Sequence, residues 1–133
     1  MVKKKTKKTY EGLQENVRKL KLPKIDIWKN KYSDKDYLIT FETSEFTCIC
    51  PKTGLPDFAQ IFIEYSPNDR CIELKSFKEY MVAYRDIGIF HEHVINRMLD
   101  DLVKVSIPKS MKVKGIFNIR GGITTTVEAE YTA

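Results

Sequence analysis

The chain has 133 residues, within the span of one folded domain, and its 42% hydrophobic and 31% charged residues are enough to bury a core without cross-links. Three cysteines, an odd number, with no long apolar run and no signal-peptide pattern, argue against a membrane protein or a secreted disulfide framework; the expectation is free thiols in the cytoplasm. The net charge of +5 falls largely in residues 1–24, on Lys3, Lys4, Lys5, Lys7, Lys8, Arg18, Lys19, Lys21 and Lys24, and reads as a solvated basic arm. No zinc-finger spacing, RNP-like aromatic signature or GxxG loop makes that arm part of a nucleic-acid module.

In chain order, residues 1–24 form the expected arm, with a helical turn or two around Leu13, Val17 and Leu20 that Pro23 ends, and residues 25–133 form the expected single catalytic domain. Tyr37, Ile39 and Phe41 alternate with Leu38, Thr40 and Glu42 as one strand; Phe58, Gln60, Phe62 and Glu64 alternate with Ala59, Ile61, Ile63 and Tyr65 as a second. Between them residues 44–57 read as a long loop, a feature that in a compact domain is usually functional or disordered. After the turn Ser66-Pro67-Asn68-Asp69, the spacing of Leu74, Phe77, Met81 and Tyr84 predicts a helix stopped by Gly88. Val94, Ile95, Met98, Leu99 and Leu102 predict a second helix over 91–104, with Pro108 beyond it. Two period-two runs, Val113 to Ile119 and Ile123 to Val127, flank Gly121-Gly122 as a hairpin. The order strand, strand, helix, helix, strand, strand predicts an α+β fold: an antiparallel sheet carrying both helices on one face.

Chemistry concentrates in two runs. Cys50 precedes Pro51, which biases it to extended backbone and lets the thiol stand clear; the default fate of a cysteine, a small buried apolar residue, is an equal reading on its own. Asp57, later in the same turn-rich segment, tips the balance, because a thiol and a carboxylic acid together supply a nucleophile and a proton source. Cys48 would face the same way in extended chain, and Cys71 belongs to the core. Cys48-x-Cys50 with His91-x-His93 also offers two thiolates and two imidazoles to zinc, although structural zinc sites separate their cysteines by more residues. Glu73, Lys75 and Lys78 open the first helix and Glu92 the second, where favourable helix-dipole contacts and a solvated face account for them as readily as a site does. Against that reading, Phe90-His91-Glu92 starts a helix at the sheet edge, where a carboxylate can accept paired N–H donors from a planar heterocycle. Arg120-Gly121-Gly122 suits either a hairpin turn or the close approach of a phosphate.

Taken together, Phe46-Thr-Cys-Ile-Cys50-Pro-Lys-Thr-Gly-Leu-Pro-Asp57-Phe, Glu73-Leu-Lys-Ser-Phe-Lys-Glu-Tyr80, Phe90-His91-Glu92 and Arg120-Gly-Gly resemble the NADPH-dependent 7-cyano-7-deazaguanine (preQ0) reductases, the nitrile reductases of queuosine biosynthesis, in their short form. The resemblance covers residues 37–122, with Glu79 standing where the family has an apolar residue or tyrosine. It implies the tunnelling fold and a homo-oligomer built from rings, as pentamer pairs, with active sites between neighbouring subunits. It also implies catalysis by Cys50, which attacks the nitrile to give a thioimide, and Asp57, which delivers the proton, with two NADPH taking preQ0 to the aminomethyl product preQ1. Glu92 and His91 would hold the base, Ile72, Glu73 and Leu74 would complete the pocket, and Lys75, Lys78 and Arg120 would take the phosphates of NADPH; no metal, nucleic acid or membrane is implied. The NADPH expectation rests on the resemblance alone, since no GxGxxG follows a strand. The competing readings are a zinc-dependent, cyclohydrolase-like tunnelling-fold enzyme acting on a pterin or purine, and a basic-tailed binding module without catalysis.

Overall fold

The period-two pattern of the second predicted strand is what the sheet is built on. In a computed structural model that describes Gln14 and residues 16–133, β3 (Pro56–Ser66) buries Asp57, Ala59, Ile61, Ile63 and Tyr65 and leaves Phe58, Gln60 and Glu64 exposed. It lies between β2 (Ile39–Ile49) and β5 (Ser110–Arg120), and β6 (Ile123–Thr132) completes an antiparallel sheet of order β2-β3-β5-β6. Met111, Val113 and Phe117 of β5 point into the same core as the inward residues of β3. Onto that face pack α1 (Leu74–Ala83), through Phe77, Tyr80 and Met81, and α2 (His91–Ser106), through Val94, Ile95, Met98, Leu99 and Leu102. Gly115 permits the close approach of α2: a Cβ there would lie 2.6 Å from Ile95 Cδ1.

The expected long loop at 44–57 is corrected. β2 continues to Ile49 and β3 begins at Pro56, leaving only residues 50–55 as connection. The ladder shifts register between Thr43 and Phe46, so Ser44 and Glu45 form a bulge that breaks the alternation; beyond it Phe46 and Cys48 turn inward again and pair with Ala59 and Asp57. Two short strands absent from the sequence reading, β1 (Ile27–Lys29) and β4 (Arg70–Ile72), form a separate antiparallel pair. The first helix ends at Ala83 and continues as a 3-10 turn over Tyr84–Asp86, before Gly88. Of the helical turn expected in the arm, a 3-10 turn over Val17–Lys19 is present, while Leu13 and Lys3 to Lys8 lie outside the described residues. Val17, Leu20 and Leu22 pack on the core. None of the described helices is long and apolar enough to cross a membrane.

The strands pair from Ile39↔Tyr65 at one end to Ile49↔Pro56 at the other, and the stretch from Asp57 to Tyr65 spans roughly 26 Å at about 3.3 Å per residue. Ile72 donates its N–H to Tyr65 Oη (2.9 Å), and Arg70 donates to Val105 O (3.2 Å) near the C-terminus of α2. β4 and the start of α1 therefore lie at the Tyr65 end. The head of α2, its 16 residues running about 24 Å from there, lies at the Asp57 end.

Candidate active site

At the Asp57 end the connection from β2 to β3 is a tight, hydrogen-bonded turn. Gly54 N–H donates to Cys50 O (2.8 Å) and Cys50 N–H to Leu55 O (2.9 Å), with Gly54 at φ 73° closing the loop. Cys50 is half-buried at its start. Partial burial pushes its thiol up, but hydrogen bonds from the Thr53 hydroxyl and the backbone N–H groups of Thr53 and Lys52 outweigh this and the nearby Asp57 charge, so its pKa falls below the ordinary 9.0. Thr53 is itself held, its Oγ1 accepting from Leu55 N–H (3.2 Å). Cys48 goes the opposite way: it is fully buried, and burial, followed by the charges of Asp57 and Cys50, pushes it up to about 12. Two cysteines two positions apart thus differ in how readily they form the thiolate, because one faces the core and the other a polar turn. Cys71 is fully buried, and all three thiols are free.

Asp57 is the first inward-facing residue of β3, and its burial is compensated by two partners. His91 Nε2 lies 3.2 Å from Oδ2 and Arg120 Nε lies 3.0 Å from Oδ1; Arg120 also donates through Nη2 to Pro56 O. The His91 ring stacks on Phe117 with centroids 3.8 Å apart and planes inclined by 13°. The residues before α2 are stitched to the end of β2, with Ile49 N–H donating to Ile87 O (3.0 Å) and Ile89 N–H to Ile49 O (2.9 Å), which brings His91 and the exposed Glu92 to this end of the sheet. Cys50, Asp57, His91 and Arg120 therefore form one cluster, with Glu92 beside it on the same helix turn.

Ile72, Glu73, Leu74 and Lys75 are elsewhere, at the Tyr65 end. Ile72 is buried, so its side chain is committed to the core, whereas Leu74 is 61% exposed. Glu73 is the N-cap of α1, accepting from Ser76 N–H (2.6 Å) and Lys75 N–H (2.9 Å); these bonds, with the Ser76 hydroxyl, hold its carboxyl below the usual range. Lys75 and Lys78 are exposed on α1. A groove of about 650 Å³ runs along α1 and β2, with Leu74, Lys78 and Arg85 on one wall and Thr40, Phe41 and Phe46 on the other. The four side chains considered for zinc do not converge: His93 Nδ1 faces Gln14 Oε1 at 3.0 Å, and among the described residues no group of three or more His, Cys, Asp and Glu could hold a metal ion.

Sequence reasoning missed Thr53, Phe117 and Gln14. The only trace of Thr53 was its place three residues after Cys50 in a turn; Phe117 and Gln14 carried no local signal, because each meets the site through tertiary packing.

An antiparallel sheet with both helices on one face thus carries, at one end, a turn that favours the Cys50 thiolate and the buried carboxylate of Asp57, the arrangement expected of the tunnelling fold that the resemblance implied. Residues 56–133 match the family model described as QueF-like protein, and the chain belongs to this family. It is 51% identical over 109 residues to the NADPH-dependent 7-cyano-7-deazaguanine reductase of Chloroherpeton thalassium, covering 82% of this chain and 94% of that one. Identity is likewise 51% to the proteins of the same name from Syntrophus aciditrophicus (81% of this chain, 77% of that one) and Halorhodospira halophila (80% and 91%). Among solved structures, the archaeosine synthase QueF-Like in its apo form superposes with a TM-score of 0.67 at 24% identity, over 72% of this chain and 94% of that one, and shares the fold.

Proposed function

We propose that this protein is an oxidoreductase that reduces the nitrile of 7-cyano-7-deazaguanine to the aminomethyl group with NADPH, through a covalent intermediate on Cys50. The observation that carries the reading is the thiolate-favouring turn around Cys50, held next to a buried Asp57 that is paired with His91. Relatives that are 51% identical bear the name of this activity.

Cys50 Sγ, as thiolate, adds to the nitrile carbon; the C–S bond forms, one π pair moves to nitrogen, and Asp57 gives that nitrogen its proton, leaving a thioimide. The 3.2 Å contact to His91 lets the pair carry the proton between them, and Arg120 compensates the carboxylate when the proton has gone. NADPH, when bound, would supply the two hydrides; after the first, the nitrogen lone pair expels the Cys50 thiolate to leave an imine, and after the second, the Asp57–His91 pair gives the nitrogen the remaining proton of the amine. Glu92, exposed on the first turn of α2, accepts the N–H donors of the base, with His91 against it. Lys75 and Lys78, both exposed, take the cofactor phosphates together with Arg120. The turn after Arg120 suits them, since a Cβ on Gly121 (φ +57°) or Gly122 (φ +78°) would meet nothing within 4 Å.

Because Glu73, Leu74 and Lys75 lie at the opposite end of the sheet from Cys50, a complete site needs a second subunit. β2 and β6 are the two edges of the four-stranded sheet; the outer side of β2 is bridged at Ile49 by the residues before α2, and head-to-tail pairing of the remaining edges closes into a ring. This supports a ring-built homo-oligomer with sites between subunits. The three free thiols accord with a reducing cytoplasm.

The test is incubation with 7-cyano-7-deazaguanine without NADPH, followed by mass spectrometry. The expected result is a single adduct on Cys50, released as aminomethyl product when NADPH is added; no adduct and no NADPH oxidation would overturn the reading.

A further inference from the structure

Phe90 is the N-cap of α2 and has no side-chain oxygen to offer the helix. In the usual capping box, a Glu or Gln at the third helical position reaches back to the N-cap N–H. Here that position holds His93, and the acceptor comes from far away in sequence: Gln14 Oε1 lies 3.3 Å from Phe90 N, across 76 positions of chain. The same amide donates through Nε2 to Gly88 O (3.4 Å), so both ends of the side chain are spent on the turn that leads into His91 and Glu92.

This contact is anchored. Val17 N–H donates to Gln14 O (3.3 Å), tying Gln14 to the 3-10 turn that follows it. Arg97 then grips that turn, donating from Nη1 to Val17 O (2.7 Å) and from Nη2 to Leu20 O (2.6 Å). The guanidinium is itself fixed: its Nε donates to both oxygens of Asp101 (3.0 and 2.9 Å), and Asp101 accepts from Tyr80 Oη (2.6 Å), which shares a further bond with Tyr84 Oη (2.8 Å). A chain of bonds thus runs from the buried tyrosines through Arg97 to residues 17–20 and on to Gln14. Leu20 and Leu22 add apolar contact with the core.

One consequence is a defined tautomer. Phe90 N–H can only donate, so the Gln14 atom facing it is the oxygen; the same oxygen is 3.0 Å from His93 Nδ1, which must therefore carry a proton.

We propose that Gln14 is a positioning residue for the reaction. It fixes the turn at 88–90, and so the directions in which His91 and Glu92 leave the head of α2, while Arg97 with Asp101 and Tyr80 holds Gln14 in place. The inference rests on the reading that Glu92 and His91 meet the substrate. The bonds from Gln14 to Gly88, Phe90 and His93 lie on the side of the site that carries His91 and Glu92, so its main effect falls on substrate alignment.

The experiment compares the full chain with Gln14→Ala and Gln14→Glu. Loss of the amide should raise KM for 7-cyano-7-deazaguanine roughly tenfold with kcat changed far less, since a small misplacement by a remote contact is felt at the site. The rate of Cys50 alkylation by iodoacetamide should not move. Gln14→Glu keeps the acceptor for Phe90 N–H and His93 but has no donor for Gly88 O and sets a carboxylate oxygen against that carbonyl, so its KM should fall between those of the parent and Gln14→Ala, while the Nδ1–H form of His93 is kept. With His91 and His93 the only histidines, ¹⁵N spectra of the neutral rings should show His93 as the Nδ1–H form in the parent chain and lose it in Gln14→Ala. An unchanged KM in Gln14→Ala, or an Nε2–H form of His93 in the parent, overturns the inference and leaves the activity standing. A parent chain inert toward the nitrile overturns the activity itself, and the link from Gln14 to catalysis with it.

Discussion

Asp57 and His91 meet with Oδ2 and Nε2 3.2 Å apart, although one opens a strand and the other a helix. Asp57→Asn keeps the shape and the neighbours but has no proton to give. Binding of the nitrile should persist in calorimetry while adduct formation and turnover both slow by about 10² to 10⁴. Glu92→Ala should fail earlier, with binding of the nitrile lost in calorimetry. If Asp57→Asn abolishes binding and Glu92→Ala does not, the two carboxylates hold each other's roles.

The contrast between the neighbouring thiols gives a pH prediction. Cys50 lies below 9.0 because its thiolate is hydrogen-bonded, whereas burial pushes Cys48 up to about 12. Near neutral pH iodoacetamide should label Cys50 alone, with a midpoint below 9.0 in the pH–rate profile. Thr53→Val removes the hydroxyl donor and should move that midpoint upward. Cys50→Ala should abolish labelling and the nitrile adduct together; Cys48→Ala should keep both.

Lys75→Ala and Lys78→Ala should weaken NADPH more than 7-cyano-7-deazaguanine, as read by KM for each. The loss should shrink as salt is raised, because exposed charges are screened within about 10 Å at 0.1 M ionic strength. A change confined to the nitrile substrate would move the cofactor phosphates elsewhere.

Glu73 has a carboxyl held below its ordinary 4.5 by donors of the first turn of α1. A depressed carboxyl contributes stability above its unfolded value and loses it as pH falls through the folded one. Glu73→Gln should therefore lower Tm at pH 7, and the gap to the parent should close below pH 4.5. A gap independent of pH would mean that the charge contributes nothing.

Ile107 ends α2 with φ 45°, a left-handed conformation that a β-branched residue adopts at a cost, and its side chain is 53% exposed. Ile107→Gly should stabilise the protein by about 1 kcal/mol. Thermal unfolding should show a rise in Tm of about 4 °C.

The sequence by itself determined the parts whose cause is local. Alternation along residues 58–65 and 113–117 and the apolar stripe of α2 are imposed by side-chain geometry and burial, so the strands, helices and their α+β order were legible, as was the Cys50 turn with its proline and glycine; past Phe117 the ladder shifts and Ile119 is exposed. At the bulge of Ser44 and Glu45 the same rule misled, because an extra residue breaks the period without ending the strand. What only the tertiary structure decided is which side chains meet. His91 and Arg120 converge on Asp57 because Ile49 is stitched to the residues before α2 and because β5 pairs with β3 in the register Phe117↔Ala59, where a slip of one residue would turn Phe117 to the other face and leave His91 without its stacking partner. Glu73 and Lys75, close to Cys50 in any list of motifs, lie at the far end of the sheet, since α1 starts where β4 docks beside Tyr65. Gln14 reaches the head of α2 only because Arg97 holds the turn between them; such a contact depends on packing between distant segments, which no local period encodes.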